Sequence, residues 1–218
     1  MQNTINRIIE EKLIVILRGY TYEELKRVTE AIYRGGVRCC EVTFDSLGRI
    51  RDEQTAAHIA GLVHEFPDML VGAGTVLKES QVALVAAAGG KFIVSPDTNP
   101  AVIQKTKELG LVSIPGAFTP SEATLANRSG ADFVKLFPAG EMKLTYLKAL
   151  VTPLSHIRFL AVGGINENNV QQALEMGAWG FGISSGIATP QMARRGAYDE
   201  ITARAKAYVE AIRHAHQS

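Results

Sequence analysis

The chain has 218 residues, of which 46% are hydrophobic and 21% charged, a composition typical of folded water-soluble proteins and sufficient for one large domain or two small ones. Lys plus Arg number 23 against 22 Asp plus Glu, a net charge of +1, so no global field draws in nucleic acid or an anionic membrane surface. No apolar run approaches membrane-spanning length, and the N-terminal segment mixes Ile5, Ile8 and Ile9 with Asn6, Arg7, Glu10 and Glu11, which is not the pattern of a secretion signal.

Residues 3–12 place these isoleucines at helical spacing behind Asn3 or Thr4 as a cap, predicting a short amphipathic helix that could plug one end of a barrel. A continuous apolar run over 13–17 then stops at Arg18-Gly19 and is followed by a helical pattern over 21–33, making one strand-helix unit. The second strand, 39–44, holds Glu41 among apolar neighbours. It also holds Cys39 and Cys40, the only two cysteines, whose side chains should point to opposite faces, so they read as unbridged core thiols of a cytoplasmic protein.

The same beat continues with strands at 69–71 running into Gly72-Ala73-Gly74-Thr75, at 91–94, 111–114, 133–137, 158–162 and 179–183, eight in all. Helical stretches lie between them, among them 81–88, 101–109, 120–127 and 168–176, several closed by glycine. The last, 198–214, reads as the eighth helix of the repeat. Strands that are apolar throughout belong to a parallel sheet covered on both faces, and eight evenly spaced units favour closure. The prediction is a compact (β/α)8 TIM barrel with a short N-terminal helix, one domain spanning 1–218.

In such a barrel the active site lies at the C-terminal ends of the strands. The polar and small residues expected there are Arg18, Glu41, Thr43, Thr75, Ser95, Lys135, Gly163, Gly164 and Ser185. Lys135, inside the apolar run 133–137, and Glu41 would meet over the barrel centre from opposite sides. Desolvation lowers a lysine pKa and raises a glutamate pKa while their mutual attraction does the reverse, and the sequence leaves the balance open. The pair reads either as a buried structural ion pair or as a nucleophilic amine with its proton carrier, able to form a Schiff base with a ketone. Position at the catalytic end favours the second reading.

Ala161-Val162-Gly163-Gly164-Ile165-Asn166 and Gly182-Ile183-Ser184-Ser185-Gly186 follow the last two strands. Glycines there let backbone amides approach an anion, with Asn166 as a cap for the next helix, so a phosphate group is the expected ligand. Gly72-Ala73-Gly74-Thr75 lacks the third glycine of a dinucleotide fingerprint and reads as a place where substrate approaches the backbone, Thr75 donating a hydrogen bond. Arg18 offers a two-pronged carboxylate contact. His58, His64 and His156 fall in helices or connections and His214 and His216 in the C-terminal tail, so the histidines give little support for a metal site.

With Arg18, Glu41, Gly72-Ala73-Gly74-Thr75, Ser95-Pro96, Pro115-Gly116, Lys135-Leu136-Phe137-Pro138 and Gly163-Gly164 in place, nearly the whole chain resembles the KDPG/KHG aldolase family. These enzymes act on 2-keto-3-deoxy-6-phosphogluconate and 4-hydroxy-2-oxoglutarate. The resemblance implies a class I aldolase without metal or other cofactor, usually a homotrimer, that reversibly cleaves a small phosphorylated keto acid, a 2-keto-3-deoxy-6-phospho sugar acid of the gluconate kind, to pyruvate and glyceraldehyde 3-phosphate. The alternatives are a 4-hydroxy-2-oxoglutarate or galactonate-type aldolase, or a barrel that only binds a sugar phosphate. The resemblance further implies Lys135 as the Schiff-base lysine, Glu41 as the acid/base, Arg18 and Thr75 around the pyruvate carboxylate, Pro96 and Phe137 as apolar walls, and Gly163, Gly164 and Ser185 around phosphate. Two positions depart from the family pattern. Many phosphogluconate-specific members carry a second arginine four residues after the glutamate, where this chain has Asp45, an acid expected to repel an anionic substrate group. Arg49 could reach back from the same loop, which the sequence leaves open. Val162 stands where a threonine often precedes the two glycines.

Overall fold

The computed structural model describes residues 1–140 and 143–215. Among them nine parallel strands form one sheet in the order β5-β4-β3-β2-β1-β9-β8-β7-β6. The strands are β1 (Leu13–Leu17), β2 (Cys39–Thr43), β3 (Leu70–Gly74), β4 (Phe92–Val94), β5 (Val112–Ile114), β6 (Gly116–Ala117), β7 (Val134–Leu136), β8 (Phe159–Val162) and β9 (Gly180–Ile183). Around them lie α1 (Gln2–Glu11), α2 (Tyr22–Arg34), α3 (Asp52–Glu65), α4 (Glu79–Ala87), α5 (Pro100–Glu108), α6 (Pro120–Arg128), α7 (Thr145–Val151), α8 (Val170–Glu175), α9 (Pro190–Arg194) and α10 (Tyr198–His214). None of these helices is long and apolar enough to cross a membrane.

The architecture is the expected barrel with one correction to the strand count. The fifth strand is broken in two at Pro115, which has no N–H to give to a ladder. β5 pairs with β4, and β6 pairs with β7. The Lys135 amide bonds to the Pro115 carbonyl across 2.8 Å, so the broken strand carries the sheet round to near closure. The count of helices is also higher than the repeat requires, because the short α9 precedes the terminal α10.

Local signals explain where the helices begin. Thr21 with Glu24 and Thr119 with Glu122 form reciprocal capping boxes ahead of α2 and α6. Asn99 accepts from the Ala101 amide and Thr189 from that of Met192, each just before a proline in the first turn. Helix α1 ends one residue earlier than its pattern suggests, because Lys12 turns left-handed (φ 56°) to enter β1.

Alternation along each strand sorts the apolar residues into two cores. Val15, Cys40, Val71, Ile93, Val134, Ala161 and Phe181 face the helices. Ile14, Cys39, Phe92, Val94, Val112, Ile114 and Leu160 fill the barrel, closed from below by Ile5 and Ile8 of α1. Cys39 and Cys40 therefore lie in different cores, and both are free thiols. Glycines in β3 make room for this filling. A Cβ on Gly72 would lie 2.5 Å from the Phe92 ring, and one on Gly74 would collide with the Glu41 carboxylate.

Helix α1 is the floor of the interior, and Ile8 is only 1% exposed within it. Truncation there opens a cavity that the barrel wall cannot collapse to fill. Ile8→Ala is expected to cost about 2–4 kcal/mol in chemical denaturation, with the KM for substrate unchanged because the site lies at the other end. A cost below about 1 kcal/mol would show that the plug carries little of the stability.

Candidate active site

Period-two alternation places Glu41 in β2 and Lys135 in β7 on the inner face of the barrel, above the apolar filling. The two strands are separated by β1, β9 and β8 in the sheet order, so they stand on opposite walls. Both side chains are buried, Glu41 3% and Lys135 8% exposed. They line one small central cavity with Ile14, Ile16, Val94, Ile114, Leu160, Val162 and Gly182. Each is the leading charge partner of the other, yet no ion pair within 4.0 Å joins them. The open distance is where a small carbonyl group would have to sit.

Burial decides the titration that the sequence left open. Loss of hydration lowers the Lys135 pKa from the ordinary lysine value, outweighing the attraction of Glu41, and the Arg18 cation pushes the same way. Burial likewise raises the Glu41 carboxyl above the usual carboxylate range, against the opposing pull of Lys135 and Arg18. The result is an amine with an enlarged neutral fraction facing a carboxyl group with an enlarged protonated fraction. An amine in that state can attack a ketone, and such a carboxyl group can exchange protons with what forms.

Above the pair opens a cavity of about 470 Å³ lined by Arg18, Thr75, Pro96, Lys135, Phe137, Gly163, Gly164 and Ser185. Of the nine site residues that the family resemblance implies, eight are thus gathered in one hollow, while Glu41 lies in the small cavity beneath it that also contains Lys135. At one side Arg18 Nη2 donates to Thr75 Oγ1 across 3.2 Å. Thr75 has a left-handed backbone (φ 56°), rare for a β-branched residue and costing about 1–3 kcal/mol. The turn it makes sets its side chain beside the guanidinium. Phe137, 45% exposed, forms the wall with its ring centroid 5.0 Å from Lys135 Nζ.

At the other side Gly163 and Gly164 are both left-handed (φ 85° and 71°). The segment leaving β7 holds them in place. The Ala139 amide bonds to the Val162 carbonyl (2.8 Å) and the Gly140 amide to that of Gly163 (2.7 Å). A Cβ on Gly140 would lie 2.5 Å from the Gly164 carbonyl, so that closeness needs a glycine. Among the described residues, none of the backbone amides of Gly163, Gly164, Ser184, Ser185 and Gly186 donates to a protein acceptor. They remain as a set of donors around one end of the cavity.

Three expectations about this region change. Asn166 does not cap α8; its side chain accepts from the Asn168 amide across 3.0 Å, shaping a turn ahead of the helix. Asp45 is not a bare repelling acid. Arg49 reaches back to grip it with two bonds (2.9 and 3.0 Å), the amides of Leu47, Arg49 and Ile50 donate to it as well, and these contacts hold its carboxyl well below the usual range. Asp45 therefore organises the loop after β2, and its charge is compensated. Thr43 and Ser95 do not line the main hollow: Thr43 lines a side cavity with Asp45 and Arg49, and Ser95 is buried, its amide bonded to the Ile114 carbonyl. His58 and His64 lie on α3 and His214 ends α10, while His216 falls outside the described residues. Among the described residues, no group of three or more His, Cys, Asp or Glu side chains is arranged so that it could hold a metal ion.

Ser46, Leu77 and Ile16 also line the hollow. The two-residue period from Ile14 could have placed Ile16 there, whereas Ser46 and Leu77 arrive on loops whose course no local pattern reveals.

The model of the KDPG and KHG aldolases matches residues 4–204. The chain belongs to that family. The aldolase is 36% identical over 202 residues to the 2-dehydro-3-deoxy-6-phosphogalactonate aldolase of Escherichia coli (strain K12), covering 92% of this chain and 96% of that one. A solved structure described as native KDPGal matches 94% of the chain and is itself covered to 96%, with a TM-score of 0.85 and 34% identity. The KDPG aldolase of Legionella pneumophila, solved with pyruvate captured as a covalent carbinolamine, matches with a TM-score of 0.83 and 26% identity over 94% of this chain and 97% of that one. This aldolase is accordingly a carbon–carbon lyase of class I.

Proposed function

We propose that the aldolase reversibly cleaves 2-keto-3-deoxy-6-phosphogalactonate to pyruvate and glyceraldehyde 3-phosphate, with Lys135 as nucleophile and Glu41 as proton carrier. The observation that carries the reading is the buried amine and carboxyl facing each other across the barrel centre beneath a hollow with Arg18 at one end and unused backbone amides at the other.

Arg18 and Thr75 hold the C1 carboxylate, which presents the C2 ketone to Lys135. The neutral amine adds to C2 to give a carbinolamine, and loss of water leaves an iminium. The C3–C4 bond then breaks, its electron pair moving toward the iminium nitrogen to form an enamine. Glu41, as carboxylate, takes the C4 hydroxyl proton while the C4 aldehyde departs. The same proton returns to C3 of the enamine, and water releases pyruvate and the free amine. Pro96 and Phe137 wall the reacting carbons, and Gly163, Gly164 and Ser185 take the phosphate through backbone and hydroxyl donors.

The galactonate choice rests on two positions as well as on the relatives. Asp45 is committed to its own loop and to Arg49, so position 45 presents no arginine of the phosphogluconate kind and the Arg49 guanidinium is engaged. Val162 lines both cavities and carries no hydroxyl where a threonine often stands. A site without that hydroxyl has no partner there for a C4 hydroxyl in the gluconate configuration and gives up discrimination against its epimer. In a panel of 2-keto-3-deoxy-6-phosphogalactonate, its gluconate epimer and 4-hydroxy-2-oxoglutarate, the first is expected to show the highest kcat/KM. Inorganic phosphate should compete with the two phosphorylated substrates. Preference for the gluconate epimer by about tenfold or more would overturn the stereochemical assignment, and turnover of 4-hydroxy-2-oxoglutarate at least as efficient as either would overturn the phosphate assignment. The proposal includes a single barrel domain over 1–218 working in the cytoplasm as a homotrimer, which sedimentation at working concentration would check.

A further inference from the structure

The two loops that carry the unused amides belong to different strand-helix units, yet an anion can bridge them only at a fixed separation. Beneath them lies Tyr208 of α10, 2% exposed. Helix α10 is anchored from the other side: Thr202 Oγ1 donates to the Ala31 carbonyl of α2 across 2.9 Å, and a Cβ on Gly35 at the end of that helix would lie 2.5 Å from Ala205. From this fixed base the Tyr208 hydroxyl rises directly under Gly186, so close that a side chain on Gly186 would collide with it. It also lies within electrostatic reach of Glu167, the second residue after Ile165 in the other loop, whose carboxylate favours the protonated phenol, while Arg204 pulls the other way. Burial and that carboxylate raise the phenol to about 12, so it keeps its proton at working pH. One hydroxyl thus touches the floor of the Ser184–Gly186 turn and reaches the loop that begins at Gly163.

We propose that Tyr208 is a positioning residue for the phosphate site, its hydroxyl wedged under Gly186 and turned to Glu167 so that the loops after β8 and β9 keep the spacing a phosphate needs. Tyr208 touches no substrate, and it lines neither the main hollow nor the small cavity that holds Lys135 and Glu41. Its loss should therefore act on binding of the phosphorylated end alone. The inference rests on the phosphate reading given above.

Tyr208→Phe keeps the ring in the core and removes only the hydroxyl. Expected is a rise of about fivefold in KM for the phosphorylated substrate and in the inhibition constant of inorganic phosphate. Borohydride trapping of pyruvate and kcat should stay within about twofold of the parent, since the chemistry is not touched. Glu167→Gln keeps an acceptor for the hydroxyl and should retain the parent KM, whereas Glu167→Ala should reproduce Tyr208→Phe. If phosphate inhibits the parent and Tyr208→Phe equally, or if kcat and trapping fall as KM rises, the positioning role is wrong while the phosphate site stands. If phosphate does not inhibit the parent at all, both the site and the inference built on it fall.

Discussion

Lys135→Ala will lower turnover by about four orders of magnitude or more and will abolish the stable adduct that borohydride and pyruvate leave on the parent. The loss should not come from unfolding. In the folded parent Lys135 is a buried amine whose burial opposes its charge, so removing it removes a desolvation cost along with its packing. The Glu41 carboxyl left behind loses one cation that favours its ionised form, and its pKa rises further, so it becomes a neutral acid and not a stranded charge. The thermal midpoint should therefore stay close to the parent's, and a variant that unfolds at assay temperature must be replaced by Lys135→Met, which restores the volume of the stem. Lys135→Arg separates two ideas about the site. A guanidinium keeps the charge, so a barrel that merely binds a sugar phosphate by electrostatics would retain affinity and whatever turnover it had. An imine-forming enzyme loses turnover as completely as with alanine, because the guanidinium is not a nucleophile at working pH. Appearance of an undiminished pyruvyl adduct in Lys135→Ala would place the nucleophile elsewhere and sink the assignment.

What the linear chain disclosed about this site follows from which features are local. A lysine inside Phe133-Val134-Lys135-Leu136-Phe137 is visible because its polarity contradicts its neighbours, and two-residue alternation then tells which way it points. Glu41 in Cys39-Cys40-Glu41-Val42-Thr43 is visible for the same reason. Their meeting across the barrel depended on counting strands, and the count survived Pro115 because β5 and β6 are one strand interrupted by a missing donor. The role of Asp45 was not legible. Its charge is plain in the sequence, but whether it repels a substrate or folds its own loop depends on the path of Arg49, four residues on and bent back through three amide bonds to the same carboxylate. The need for glycine at 74 and 140 was hidden too, since it arises from the Glu41 carboxylate and the Gly164 backbone arriving from distant parts of the chain. Long-range closeness of this kind has no periodicity to read.

The pH behaviour of Glu41→Gln gives the sharper test of the pair. In the parent, burial lowers the Lys135 pKa while the Glu41 charge holds it partly up. An amide at position 41 keeps the volume and the burial but removes the negative charge, so the only contribution raising the lysine pKa from this partner disappears. Imine formation needs the neutral amine and increases as pH rises through the Lys135 pKa, which lies below the ordinary lysine value. In Glu41→Gln that rise should therefore move to lower pH, and near neutrality pyruvate should form the trapped adduct at least as fast as in the parent, since the fraction of neutral amine is larger. Cleavage should nonetheless fall by about 10²–10⁴-fold, because no group remains to accept the C4 hydroxyl proton and return it to C3. The two effects run in opposite directions, which a merely structural ion pair would not produce: breaking such a pair would disorder Lys135 and slow adduct formation and cleavage together. Exchange of the C3 hydrogens of pyruvate with deuterated water, which requires the same proton carrier without any aldehyde, should be lost in parallel with cleavage. Retention of that exchange in Glu41→Gln, or a shift of the imine profile to higher pH, would assign proton transfer to another group and leave Glu41 as an electrostatic neighbour of Lys135 only.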